Sequence, residues 1–186
     1  MRRSACPTRA PGMILPMHRI RPLLPADLAA VVRIQAQCYT EIVPEQPASL
    51  AAKMQGAPGT CFAAEAHQVV AYLIAVPVVF PHLPMLDAPA FALPPGADTL
   101  YLHDLAVAPA GRGTGAGEAL VRSALRAGAA SGLRQACLVA IQGSVRYWQR
   151  FGFETVTVPS PAIAAKLASY GSAAQLMTAP LRAPSA

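Results

Sequence analysis

Charge is scarce in this chain: Asp, Glu, Lys and Arg together make up 13% of it, against 54% apolar residues. That balance excludes a disordered chain, which lacks the apolar surface to offset the entropy lost on folding. Cysteine is scarce as well. Cys6, Cys38, Cys61 and Cys137 stand alone, with no CxxC pair and no histidine at ligand spacing. Neither a zinc site nor a disulfide framework is indicated, and reduced thiols in a cytoplasmic protein are the simplest reading. Long hydrophobic runs are missing. The longest, Val69 to Phe80, has 12 residues and contains Pro77, whereas a membrane span needs about 20, so no transmembrane helix and no membrane partner are expected. The first residues also lack a signal peptide's continuous apolar stretch, because Cys6, Pro7 and Pro11 interrupt it.

What is present fits one globular domain. At 186 residues a single core buries roughly 70% of the unfolded surface. Of the formal charge of +6, Arg2, Arg3 and Arg9 supply half from a segment with no structural pattern, leaving about +3 for the rest. Residues 1–16 read as a flexible leader before a domain over 17–186, with Met13 or Met17 as alternative starts. The remaining bias suits an anionic ligand. The other basic residues are scattered and not interleaved with aromatics, so no nucleic-acid partner is expected, although the basic leader leaves a nucleic-acid or partner-binding role as a hypothesis.

Periodicity predicts a strand at His18–Arg21 and a helix opened by Pro25-Ala26-Asp27. A second short helix covers Ala48–Gln55, and Cys61–Glu65 with Val69–Val79 reads as an antiparallel hairpin. Five prolines and a glycine preclude regular structure over Pro81–Gly96, a long loop and candidate substrate lid. Then follow a strand at Thr99–Ala108, a helix at Gly115–Gly128, a buried strand at Ala136–Ile141, a two-turn helix at Ser144–Phe151 ended by Gly152, and a strand at Phe153–Val158. An irregular stretch with a helical turn at Ile163–Leu167 precedes a last strand at Gln175–Leu181.

Between the Thr99 strand and the next helix lies Gly111-Arg112-Gly113-Thr114-Gly115-Ala116-Gly117. Alternate glycines let the backbone turn sharply and approach a phosphate, while the helix N-terminus offers free N–H groups and partial positive charge. A plain strand-to-helix turn is the alternative, but it needs fewer glycines. A P-loop is excluded because the segment has no Lys and no GxxxxGK[ST] spacing. Gly111, Gly113 and Ala116 formally match the dinucleotide fingerprint, yet no Asp or Glu follows Glu118 until Glu154, so the ribose-binding acid about 20 positions on is absent.

Leu105-Ala106-Val107-Ala108-Pro109 followed by Arg112-Gly113-Thr114-Gly115-Ala116-Gly117 resembles motif A of the GNAT superfamily of N-acetyltransferases, with Arg112, Gly115 and Gly117 on its pattern [QR]-x-x-G-x-[GA]. Ser144 to Phe153, with the aromatic pair Tyr147-Trp148, three residues and then Gly152-Phe153, resembles motif B. The resemblance implies an α/β (α+β) fold: one mixed, largely antiparallel central sheet of about six or seven strands, splayed at its centre and flanked by about four helices. It implies acetyl-CoA as co-substrate, with no metal, and direct transfer to a primary amine of a small molecule, protein or peptide. Backbone groups of Leu105, Ala106 and Val107 would pair with the pantetheine arm, N–H groups from Arg112 to Gly117 would hold the pyrophosphate, and Trp148 and Arg150 would border the cofactor.

For the base that deprotonates the amine, His103 and Asp104 are the candidates, with a structural role as the alternative for each. Their adjacency in a strand predicts opposite faces, so that only one meets the acceptor. For the acid, many relatives carry Tyr where this chain has Trp148, and indole does not donate a proton at physiological pH. Ser144 lies one turn earlier on the same face and could donate to the thiolate or cap its helix. The missing tyrosine motivates a rival reading, a catalytically silent acyl-CoA sensor. The acceptor's identity and the choice between monomer and homodimer stay open.

Overall fold

A computed structural model describes residues 18–39, 43–157 and 160–182. The leader read at residues 1–16, both alternative starts and Cys6 lie outside the described residues. Seven strands form one sheet in the order β1-β2-β3-β4-β5-β7-β6, where β1 is Arg19–Pro22, β2 Phe62–Glu65, β3 Val69–Val78, β4 Thr99–Val107, β5 Gln135–Ala140, β6 Glu154–Thr155 and β7 Gln175–Pro180. Every neighbouring pair is antiparallel except β4 and β5. Five helices flank it: α1 Leu28–Cys38, α2 Pro47–Gly56, α3 Ala116–Ala130, α4 Val145–Gln149 and α5 Pro161–Ser169.

The sheet separates two cores, and β3 shows why it lies at the centre. Its residues Ala71, Leu73 and Ala75 face the α3 side with Leu100, Leu102, Leu120 and Ala124, all buried. Tyr72, Ile74 and Val76 face the α1–α2 side with Val31, Ile34 and Leu50. A strand apolar on both faces is stable only when both are covered, and burying each Leu or Ile contributes about 2 kcal/mol. The α3 helix supplies its cover through Leu120, Val121, Ala124 and Gly128, spaced to make one apolar stripe.

The central splay is visible in the ladder. β4 and β5 pair only from Thr99 with Gln135 to Leu102 with Leu138, although β4 runs on to Val107. Beyond Leu102 the parallel strands part and leave a cleft. Three predicted elements differ from those observed. The predicted two-turn helix at 144–151 is the five-residue α4, and the strand expected at 153–158 pairs only over Glu154–Thr155. The expected helical turn at 163–167 is a nine-residue helix, because Ser160 caps it by accepting from the Ile163 N–H and Pro161 occupies its first turn.

Candidate active site

Following β4, the chain makes a tight turn at Pro109–Gly111 and passes through Gly113 to Gly115, which at φ 83° is the left-handed residue immediately before α3. The Thr114 hydroxyl closes the loop by donating to the Gly111 carbonyl at 2.6 Å. At Gly117 space rather than dihedral demands glycine: a Cβ there would stand 3.0 Å from the Tyr147 hydroxyl and 3.2 Å from a Val107 methyl. The loop therefore brings the first N–H groups of α3 to the cleft, the arrangement that binds anions.

The cleft is a cavity of about 560 Å³ bordered by Leu102, His103, Leu105 and Val107 on β4, Gly111–Gly113 and Gly115–Glu118 on the loop and α3, and Ser144, Tyr147, Trp148 and Arg150 around α4. Its volume suits a cofactor arm. Ala106 and Thr114, assigned to the cofactor through their backbone groups, lend no side chain to its lining: the Ala106 methyl is turned into the α1–α2 core, and the Thr114 hydroxyl is used within the loop. The Arg150 guanidinium stacks over the Tyr147 ring, 4.8 Å from its centre. The Tyr147 hydroxyl is buried without a hydrogen-bond partner, and burial raises its pKa.

Ser144 does not cap its helix through its side chain. Its Oγ instead accepts from the Trp148 indole N–H at 3.2 Å. A hydroxyl that accepts there keeps its own proton for donation.

His103 and Asp104 do not face opposite sides of the sheet. The β3–β4 ladder pairs Ile74 with Asp104 and Ala75 with Leu102, which makes His103 the extra residue of a β-bulge and reverses the alternation at that point. Tyr101 before the bulge and Ala106 and Ala108 after it consequently belong to the same core. Both ionisable residues line a second cavity of about 40 Å³, which shares Tyr39, His103 and Ile141 with the larger one. Tyr39 borders the smaller cavity, while the aromatics Phe80 and Tyr101 pack in the core.

Each of the two has partners that the sequence did not show. Asp104 accepts from the Tyr39 hydroxyl at 2.5 Å and the Tyr72 hydroxyl at 2.6 Å. Burial raises its pKa, against the lowering effect of the two tyrosines. His103 Nε2 lies 2.7 Å from Glu45 Oε2, with side-chain exposures of 1% and 2%. The other Glu45 oxygen takes the Lys53 ammonium, the Ser49 hydroxyl and the Asp87 N–H. Burial alone would raise the Glu45 pKa, but the bonds from His103, Lys53 and Ser49 more than offset it and hold the carboxyl well below its usual range. An ionised carboxylate only accepts, so Nε2 carries the proton. Nδ1 is buried with no partner.

Glu45 was missed because it reaches β4 from 58 residues away. One signal was available: the chain has only two lysines, Lys53 and Lys166, each in an apolar helical context, and buried lysines need carboxylates or carbonyls nearby. No group of metal-ligating side chains is found among the described residues, and no described helix is long and apolar enough to cross a membrane.

The architecture has relatives among solved structures. The loading GNAT-like domain of CurA from Lyngbya majuscula superposes with a TM-score of 0.73 at 13% identity, over 89% of this chain and 98% of that one. The GphF GNAT-like decarboxylase in complex with isobutyryl-CoA gives 0.66 at 19% identity, over 89% and 100%. The ribosomal-protein-S18-alanine N-acetyltransferase from Escherichia coli gives 0.63 at 18% identity, over 91% and 97%. No curated protein matches the chain in sequence. Residues 28–153 match the acetyltransferase (GNAT) family, a span that runs from α1 through the bulged strand and the glycine loop to the end of α4. Since that span is about two thirds of the chain and contains the whole cleft, the protein belongs to the GNAT acetyltransferase family.

Proposed function

We propose that the protein transfers the acetyl group of acetyl-CoA directly to a primary amine. The observation that carries this reading is His103 at the junction of the two cavities, one nitrogen held by Glu45 and the other unpaired. Coenzyme A fits the larger cavity: the N–H groups from Gly113 to Gly117 suit its pyrophosphate, the Arg112 N–H being used by the Pro109 carbonyl, and the parted strand edge at Leu105–Val107 suits the amides of its arm. Arg112 and Arg150 are within the same cavity wall and add positive charge.

His103 Nδ1 takes the proton of the incoming ammonium, and Glu45 stabilises the resulting imidazolium. The freed amine nitrogen forms its bond to the thioester carbonyl carbon, and the carbon–sulfur bond breaks to give the amide and a thiolate. The Ser144 hydroxyl, oriented by the Trp148 N–H, donates a hydrogen bond to the departing sulfur. Asp104, held by two tyrosines, acts with Glu45 to attract a cation to the smaller cavity.

The test is calorimetric binding of acetyl-CoA together with acceptor-dependent thiol release. Gly117→Val, which fills the cradle, should abolish binding. His103→Ala should still bind acetyl-CoA and lose turnover by about 10²–10⁴-fold. Absence of acetyl-CoA binding by the wild-type protein refutes the proposal. Binding without thiol release for any amine supports the alternative reading, a silent acyl-CoA sensor, which Trp148 at the usual tyrosine position favours.

A further inference from the structure

The segment Pro81–Gly96, expected as a lid, forms a wall tied at four points, three through its backbone and one through the Asp87 carboxylate, to two helices and the residues just before α2. Lys166 on α5 donates to the Pro84 carbonyl at 2.5 Å, and Ser49 on α2 donates to the Ala88 carbonyl at 2.6 Å. The Asp87 N–H donates to Glu45 at 2.9 Å, and the Asp87 carboxylate accepts from the Gln46 N–H at 2.8 Å. The three side chains that anchor it, Glu45, Ser49 and Lys166, are buried. The Lys166 ammonium also lies over the rings of Tyr101 and Tyr170, 5.5 and 5.4 Å from their centres.

This wall sets the size of the smaller cavity, because Leu86 at its middle lines it. The cavity's about 40 Å³ corresponds to roughly three water-sized positions. Glu45, His103 and Asp104 border it with the polar Gln35, Tyr39 and Tyr170 and the apolar Val43, Leu86 and Ile141. The acidic groups suit an amine, and the apolar side chains suit the carbons attached to it. A peptide N-terminus brings a carbonyl, a side chain and a second amide close to its amino group, more than a space of about 40 Å³ admits.

We infer that the acceptor is a small primary amine carried on an apolar arm, not the amino terminus of a peptide, and that Leu86 and the Lys166 anchor set the size limit. This inference rests on the amine acetylation proposed above. Thiol release from acetyl-CoA by the full chain is measured with straight-chain alkylamines from ethylamine to hexylamine and with tripeptides bearing free amino termini. The short alkylamines should exceed the tripeptides in kcat/KM by at least about tenfold. Leu86→Ala should raise the hexylamine-to-ethylamine ratio of kcat/KM by about tenfold, and Lys166→Ala should shift the same ratio in the same direction. Tripeptides turned over as well as the alkylamines overturn the size limit while leaving amine acetylation standing. An unchanged ratio in Leu86→Ala overturns the role of the wall. Acetyl-CoA binding with no thiol release from either class overturns the acetylation reading, and this inference with it.

Discussion

Glu45→Gln separates two consequences of one buried carboxylate. The glutamine can accept at one position and donates at the other, so it cannot serve His103, Lys53, Ser49 and the Asp87 N–H together. It also leaves the Lys53 ammonium, fully buried, without its countercharge. Breaking a buried pair from one side costs about 3–5 kcal/mol, and in a domain of this size that lowers Tm by roughly 10 °C. The wild-type stabilisation from Glu45 is complete above its unfolded pKa of 4.5 and is lost as pH falls below it, because the folded value is depressed. The variant should therefore have a flatter acid limb. On activity, the imidazole loses both its orientation and its counterion, and turnover should fall by about 10²-fold or more. The decisive assay is a double-mutant cycle with His103→Ala, in which thiol release and thermal unfolding are read on the same four proteins. If Glu45 acts on catalysis through His103, Glu45→Gln costs no further turnover in the His103→Ala background, yet still destabilises through Lys53. An undiminished loss of turnover in that background refutes the reasoning.

Lys166 gives a pH prediction of the same sense at the alkaline end. Burial lowers its pKa from 10.5 to about 8, so between those values the unfolded chain binds more protons than the folded one and stability rises with pH. Urea midpoints at pH 7.5 and 10.5 should show the wild type gaining at most about 3 kcal/mol relative to Lys166→Met; a gap that is constant with pH contradicts this. Ser144→Ala should reduce kcat about 10–100-fold, the range of a hydrogen bond to a charged group. Adding Trp148→Tyr should restore much of it, since tyrosine supplies a hydroxyl where indole cannot. Wild-type kcat in Ser144→Ala, or no recovery in the double variant, removes the serine from the mechanism.

The parts of the site that were legible in the sequence are those that depend on local backbone chemistry. Gly115 at positive φ and Gly117 against Tyr147 and Val107 can be filled by few other residues, so the loop announces itself. The continuous apolar run of β3 and the stripe of α3 are equally local. The bulge at His103 is not, because nothing in Leu102-His103-Asp104 distinguishes an inserted residue from a regular one; only the pairing with Ile74 and Ala75 does. Strict alternation thus assigned the two ionisable residues to opposite faces. Glu45, Lys53 and Tyr72 acquire their roles from α2 and β3 meeting β4, contacts remote in sequence. The short α4 shows the limit of reading helix length from apolar spacing alone, since its aromatics pack on one another with Tyr147 and Trp148 edge to face at 5.1 Å.

Glu45 carries a consequence for how this pocket can diverge. Its two oxygens divide the labour, one orienting the imidazole and the other fixing the loop that limits the acceptor. A substitution at this position changes reactivity and selectivity at once and cannot be tuned for either alone. Descendants that accept new amines are therefore expected to vary at Val43, Leu86 and the residues of α5 around Lys166, while the carboxylate persists. Selectivity in this protein would evolve from the rim inward, around a fixed centre.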